Sequence, residues 1–222
     1  GTASDPYQRA EGRYRLMPKI IAALTDYRNP FSILTKGTLI LRDLDLLAEA
    51  ASVADVSTAF SVGTVDEDVW RKTEPGTPHP RKRLDAVARL NDAGIPCGVL
   101  IAPVLPGISD SQEQLRAVVE AALSAGATSV SPILLHLRPG VKEVYMEWLA
   151  GTYPDLVAGH ESMYKKAYAS ASERKAFGAR VGALIAELGP PRPRPPRPVD
   201  DRWKSRFRQA RSSIESEQLK LL

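Results

Sequence analysis

Residues 80–104 read PRKRLDAVARLNDAGIPCGVLIAPV, and this stretch decides the fold. Residues 80–93 carry an amphipathic, helical pattern. Gly94 then stops the pattern, as a glycine past a helix end does. The apolar run 96–104 (PCGVLIAPV) follows, near-continuous rather than alternating, as in a parallel strand covered on both faces.

Outward from this unit the pattern repeats. Strands are expected at 30–36 (PFSILTK), 56–62 (VSTAFSV) and 129–137 (SVSPILLHL), and helices at 13–27, 41–54 and 110–125. Asp110, with Glu113 three residues on, reads as the N-cap of the last of these, and Gly126 as its stop. Strand and helix alternating in this way give an α/β fold with parallel strands, a sheet or a barrel. After the fourth strand the rhythm changes. Residues 141–164, rich in aromatics and Met (Tyr145, Met146, Trp148, Tyr153, Met163, Tyr164), read as a helical cap, and 171–188 as a last amphipathic helix. Two regions result: a body over 1–188 and a Pro/Arg-rich linker and tail over 189–222. The linker 189–198 (GPPRPRPPRP) cannot form helix or central strand, because proline lacks the donor and fixes φ, so an extended, disordered tail is expected.

Charge and cysteine content narrow the function classes. The 222 residues carry a formal +4, but the segment from Gly189 onward holds nine Lys and Arg against four Asp and Glu. The tail is therefore +5 and the body −1, which removes a general electrostatic case for nucleic-acid binding by the body. One cysteine, Cys97, gives no disulfide framework. Together with the absence of a signal-peptide layout or a long apolar run, it points to the cytoplasm. The chain opens on Gly1, and residues 1–11 read like the interior of a longer protein.

Ligands of parallel α/β folds bind at the C-terminal ends of the strands. Those ends carry Thr35-Lys36, then Ser61 with Gly63-Thr64, then 103–107, then His136 and Arg138. Lys36 is a rim ammonium suited to a carboxylate or phosphate, or a solvated lysine starting a turn. His79, His136 and His160 have no metal-ligand spacing, and no Gly-rich phosphate loop or nucleophile elbow is present. Cys97, at the start of an apolar strand, reads as a packed, inert thiol.

The segments 2–8 (TASDPYQ), 33–36 (ILTK), 59–62 (AFSV), 78–94 (PHPRKRLDAVARLNDAG) and 95–106 (IPCGVLIAPVLP), in this order and spacing, resemble radical S-adenosylmethionine (SAM) proteins of the spore photoproduct lyase-like group. The likeness covers roughly 1–188 and is strongest to an uncharacterised actinobacterial branch. It implies the C-terminal part of a partial (β/α)6 barrel and a lyase-like enzyme. In such an enzyme a [4Fe–4S] cluster, held by three cysteines in a CxxxCxxC loop, binds SAM and cleaves it reductively to a 5′-deoxyadenosyl radical. The cysteines are expected upstream of Gly1, so this chain alone is expected to hold no cluster and to be inactive. Carried over by the resemblance, Ser4 matches a contact to the methionine moiety, Asp5 is its neighbour, Lys36 matches a lysine suited to the SAM carboxylate, and Ser61 a small polar SAM contact. Arg81 and Arg83 could approach the ribose side or only solvate a helix face, and the face is the favoured reading. Where lyases of that group carry a cysteine two residues before the matched serine, this sequence has Thr2, so the substrate stays open, nucleic acid among the candidates.

The end of the tail, 218–222 (QLKLL), resembles peptides that dock on the bacterial sliding clamp, with Gln218 as polar anchor and Leu219, Leu221 and Leu222 as apolar contacts. The linker arginines would then add phosphate contacts. Two other readings stand beside the enzyme: a barrel scaffold tethered to a DNA-replication partner without radical chemistry, and a non-radical α/β enzyme with an anionic ligand.

Overall fold

The computed structural model describes residues 4–198. Four strands, β1 (Phe31–Thr35), β2 (Val56–Ser61), β3 (Cys97–Val104) and β4 (Val130–Leu134), form one sheet in the order β1-β2-β3-β4. All neighbours run parallel, with Leu34 beside Ala59, Phe60 beside Val99 and Leu100 beside Ser131. Strand order therefore follows chain order, the arrangement of a barrel wall.

One face of the sheet is covered by α3 (Leu44–Val53), α5 (Pro80–Asp92), α6 (Gln112–Ser124) and α9 (Ala171–Leu188). Ile33, Phe60, Val99, Ile101, Leu47, Val87, Leu90, Leu115, Val118 and Val181 are buried in this layer and form its core. Both-face coverage fails at the edges, where Ser32, Leu34, Ser131 and Ile133 are exposed. β1, β2 and β4 alternate in burial, and only β3 (CGVLIAPV) reads as a continuous apolar run.

Gly94 and Gly126 end α5 and α6 at φ 79° and 69°, where a Cβ would be strained, as their place in the sequence suggests. Asp110 is not the cap of α6. Ser111 takes that place, accepting from the Gln114 amide at 3.2 Å, while Asp110 accepts from the Gly107 amide at 2.7 Å and closes the preceding turn. The first expected helix is two, α1 (Arg9–Tyr14) and α2 (Leu16–Asp26), broken at Arg15, which sits at φ 48°. Glu11 holds the break by accepting from the Leu16 and Met17 amides and from Arg42. The second begins with a 3-10 turn (Thr38–Asp43) before α3. A short helix α4 (Glu67–Thr73) stands between β2 and α5, and α7 (Val141–Thr152) and α8 (Val157–Met163) form the cap.

The linker 190–198 has neither helix nor strand, as proline dictates. It lies against the N-terminal ends of the strands. The Arg192 amide donates to Ala127 O, Arg194 reaches Asp55 at 2.5 Å and Val56 O at 3.2 Å, and Arg197 reaches Asp55 at 3.2 Å. These arginines are spent on the body's own carboxylates.

Candidate functional site

The C-terminal ends of the strands open into a cleft of about 650 Å³. Lys36 follows β1, Gly63 and Thr64 follow β2, and Pro103 and Leu105 end β3. α7 contributes Val144, Tyr145 and Trp148 to the opposite wall. The cleft is thus lined by apolar and aromatic residues together with the charged Lys36, Lys72 and Glu74.

The charged edge is built from parts far apart in the chain. The Lys36 ammonium donates to Glu74 Oε1 at 2.5 Å, and Arg83 Nη2 donates to Glu74 Oε2 at 2.8 Å. Arg83 is fully buried, which corrects the reading of it as a solvating side chain on a helix face. Its fork is filled by backbone and side-chain acceptors: Nε donates to Pro78 O at 2.7 Å, Nη1 to Ser61 O at 2.8 Å, and Nη2 also to Thr77 Oγ1. A guanidinium so satisfied has no need of water. Arg81, two residues earlier on α5, is exposed as expected.

Asp5 fixes the rim from the other side. Its carboxylate accepts from the Tyr7 amide at 2.8 Å, from Thr35 Oγ1 at 2.5 Å and from the Lys36 amide at 2.7 Å. Gly37 completes this junction, since a Cβ there would collide with the Tyr7 backbone carbonyl. Ser4 lies exposed on the bend just before Asp5. The Ser61 hydroxyl is buried and donates to Ala102 O at 2.5 Å, while its carbonyl takes the bond from Arg83. Asp5, Lys36 and Ser61 are therefore joined in one network, with Glu74 and Arg83 as its connecting members.

In the far wall, His160 Nδ1 donates to Leu156 O at 3.0 Å, which leaves Nε2 to accept from Tyr145 Oη at 3.1 Å. Burial pushes the Tyr145 phenol above its ordinary value, so it stays a neutral donor. His79 caps α5 through Nδ1, accepting from the Arg81 amide at 3.2 Å, and His136 stacks on Tyr168. Burial also raises the Cys97 thiol to about 12, in keeping with an inert packed side chain. Gln218, Leu219, Leu221 and Leu222 lie outside the described residues.

The sequence model of the Radical SAM superfamily matches residues 3–119, so the chain belongs to the radical SAM superfamily. Uncharacterised proteins of Mycobacterium tuberculosis strain H37Rv and of Mycobacterium bovis are each 46% identical over 200 residues, covering 88% of this chain and 59% of theirs. An uncharacterised protein of Methanocaldococcus jannaschii is 31% identical over 109 residues, covering 49% of this chain and 40% of its own. The chain thus spans about three fifths of the mycobacterial relatives it matches. Among solved structures, a cysteine-to-serine mutant of spore photoproduct lyase has the same fold, with a TM-score of 0.61 at 17% identity over 81% of this chain and 55% of that one. The lyase complexed with a dinucleoside spore photoproduct gives 0.59 at 18% identity, over 79% and 54%.

Superfamily membership implies SAM and a [4Fe–4S] cluster. The described residues do not fit the cluster: no group of three His, Cys, Asp or Glu among them can hold a metal ion, and Cys97 is buried. They do fit SAM. The Lys36 ammonium, beside apolar and aromatic residues lining the same cleft, is complementary to the carboxylate of an amino acid that carries a nucleoside. Among the described residues no helix is long and apolar enough to cross a membrane.

Proposed function

We propose that this chain forms the SAM-binding edge of a radical SAM enzyme, with Lys36 holding the carboxylate of the methionine moiety. The observation that carries it is the Lys36 ammonium, placed by Asp5 and Glu74 at the rim of the strand-end cleft. SAM bound there would supply, with the cluster, the radical chemistry of the superfamily. Asp5 fixes the Lys36 amide beside that cleft, Ser4 precedes it in the chain, and the buried Ser61 hydroxyl bonds to Ala102 O at the end of β2. Trp148 and Tyr145 offer the opposite wall to an adenine or to a substrate base. A nucleic-acid substrate is in line with one matched lyase structure, a complex with a dinucleoside spore photoproduct. Docking of the tail on a sliding clamp through Gln218, Leu219, Leu221 and Leu222 is a separate proposal, and deleting 218–222 should abolish clamp capture.

The test uses the protein with its native N-terminus, reconstituted anaerobically with iron and sulfide. Dithionite and SAM should yield 5′-deoxyadenosine, read by chromatography. Lys36→Ala should weaken SAM binding about 10- to 100-fold, the range for losing one hydrogen bond to a charged group. Unchanged affinity in this variant would reject the assignment of Lys36. A fully reconstituted protein that binds no cluster and cleaves no SAM would favour the scaffold reading instead.

A further inference from the structure

Lys36 carries a long, flexible side chain, and a lone ammonium at a rim has many rotamers to lose on binding. Here it is not left alone. Glu74 takes it with one carboxylate oxygen and turns the other to Arg83, so the three side chains form a chain of charge from the buried interior to the cleft. Their side-chain exposures step from 0% at Arg83 through 14% at Glu74 to 32% at Lys36. Arg83 in turn is locked to Ser61 O at the end of β2 and to Pro78 O ahead of α5. The triad ends on the Lys36 ammonium, which is presented to the cleft.

We propose that Glu74 is a positioning residue for ligand recognition. Backed by Arg83, it holds the Lys36 ammonium in the orientation that receives a carboxylate. The triad then selects a nucleoside that carries an amino-acid carboxylate over the same nucleoside without one. This rests on the SAM reading given above and deepens it. Because Arg83 neutralises Glu74, the negative charge of Glu74 orients Lys36 without repelling the ligand strongly. The paired carboxylate, and not Lys36 alone, is the device that pre-organises the site.

The experiment measures equilibrium binding of SAM and of 5′-methylthioadenosine, which lacks the amino acid, to the reconstituted protein with its native N-terminus. Wild type, Glu74→Gln, Lys36→Ala and the double variant are compared by calorimetry. Glu74→Gln should weaken SAM about tenfold, as expected for freeing one rotamer-rich side chain, and leave methylthioadenosine within about twofold. It should cost nothing further in the Lys36→Ala background, since it acts only through Lys36. An equal loss for both ligands, a gain in SAM affinity, or an additive loss in the double variant would each overturn the proposal. Glu74→Asp keeps the charge and shortens its reach, so a SAM-specific loss smaller than that of Glu74→Gln is expected; it also serves if Glu74→Gln fails to fold. If Lys36→Ala leaves SAM binding intact, the site reading itself fails. If Lys36→Ala weakens SAM and neither Glu74 variant does, only the role of Glu74 fails.

Discussion

Replacing Arg83 with alanine tests the foundation of the charged edge. Arg83 is fully buried and donates to four acceptors: Pro78 O, Ser61 O, Glu74 Oε2 and Thr77 Oγ1. Truncation leaves the Ser61 and Pro78 carbonyls without this donor and breaks the ion pair to the largely buried Glu74, which keeps only Lys36. Breaking a buried ion pair by removing one partner costs about 3–5 kcal/mol, and each orphaned buried acceptor about 1–3 kcal/mol. These terms overlap, and local relaxation admits some water, so about 4 kcal/mol is the expected loss for Arg83→Ala. For a chain of 222 residues this lowers Tm by roughly 8–16 °C, read by circular dichroism melts alongside urea titration. Arg83→Met restores most of the volume but none of the donors, and should recover only about 1 kcal/mol of that loss. Arg83→Lys should sit in between, because one ammonium cannot reach acceptors arranged for a planar fork. A loss below about 1 kcal/mol for Arg83→Ala would refute the reasoning, since it would mean the fork's acceptors are equally well served without it.

Two further outcomes follow from buried titratable groups. With burial raising its thiol to about 12, Cys97 is protonated at neutral pH. Native protein should therefore resist a thiol reagent at pH 8 and react fully in urea; fast labelling of the folded protein would contradict the assignment. Burial works against the Glu11 carboxylate, but the Arg42 guanidinium and the Met17 and Leu16 amides outweigh it and hold its pKa below the ordinary 4.5. A carboxylate depressed in the folded state stabilises fully above its unfolded pKa, and that contribution is lost as pH falls through the folded value. Glu11→Gln should thus cost about 2 kcal/mol at pH 7, and the gap from wild type should narrow steadily below about pH 4.5. A gap independent of pH in chemical denaturation would refute it.

What the sequence discloses and what it withholds divide along the range of the interactions. β3 is legible because it is a run of adjacent apolar residues, the other strands because apolar and β-branched residues cluster in short stretches, and α5 and α6 because their apolar residues repeat within one helix. Gly94 and Gly126 mark their own φ. The break at Arg15 is not legible, because a non-glycine residue at positive φ is held there by bonds from Glu11, itself fixed by Arg42 31 residues away. α4 escapes for another reason: seven residues (EDVWRKT) carry no apolar stripe, and only Asp66, whose side chain accepts from the Val69 amide, announces it.

The site divides in the same way. A lysine at the end of a parallel strand is visible as a rim residue, because strand ends are where such folds place ligands. What Lys36 does there is set by Glu74, 38 positions on, and Glu74 by Arg83, a further nine. Arg83 shows why composition misleads at this point. In PHPRKRL it stands among basic neighbours at a helix start and looks solvated, yet the helix turns it inward beneath Glu74 while Arg81 and Lys82 face water. A buried arginine is tolerated only where acceptors already wait for its whole fork. Three of the four here come from residues 74–78, which wrap the guanidinium just before α5 begins, and the fourth from the end of β2. The loop residues 74–78 and the strand end are thus tied together through a side chain that never touches the cleft. Any change that loosens Arg83 should reach Lys36 through Glu74, so the stability of the loop and the placement of the Lys36 ammonium are one property of this edge and not two.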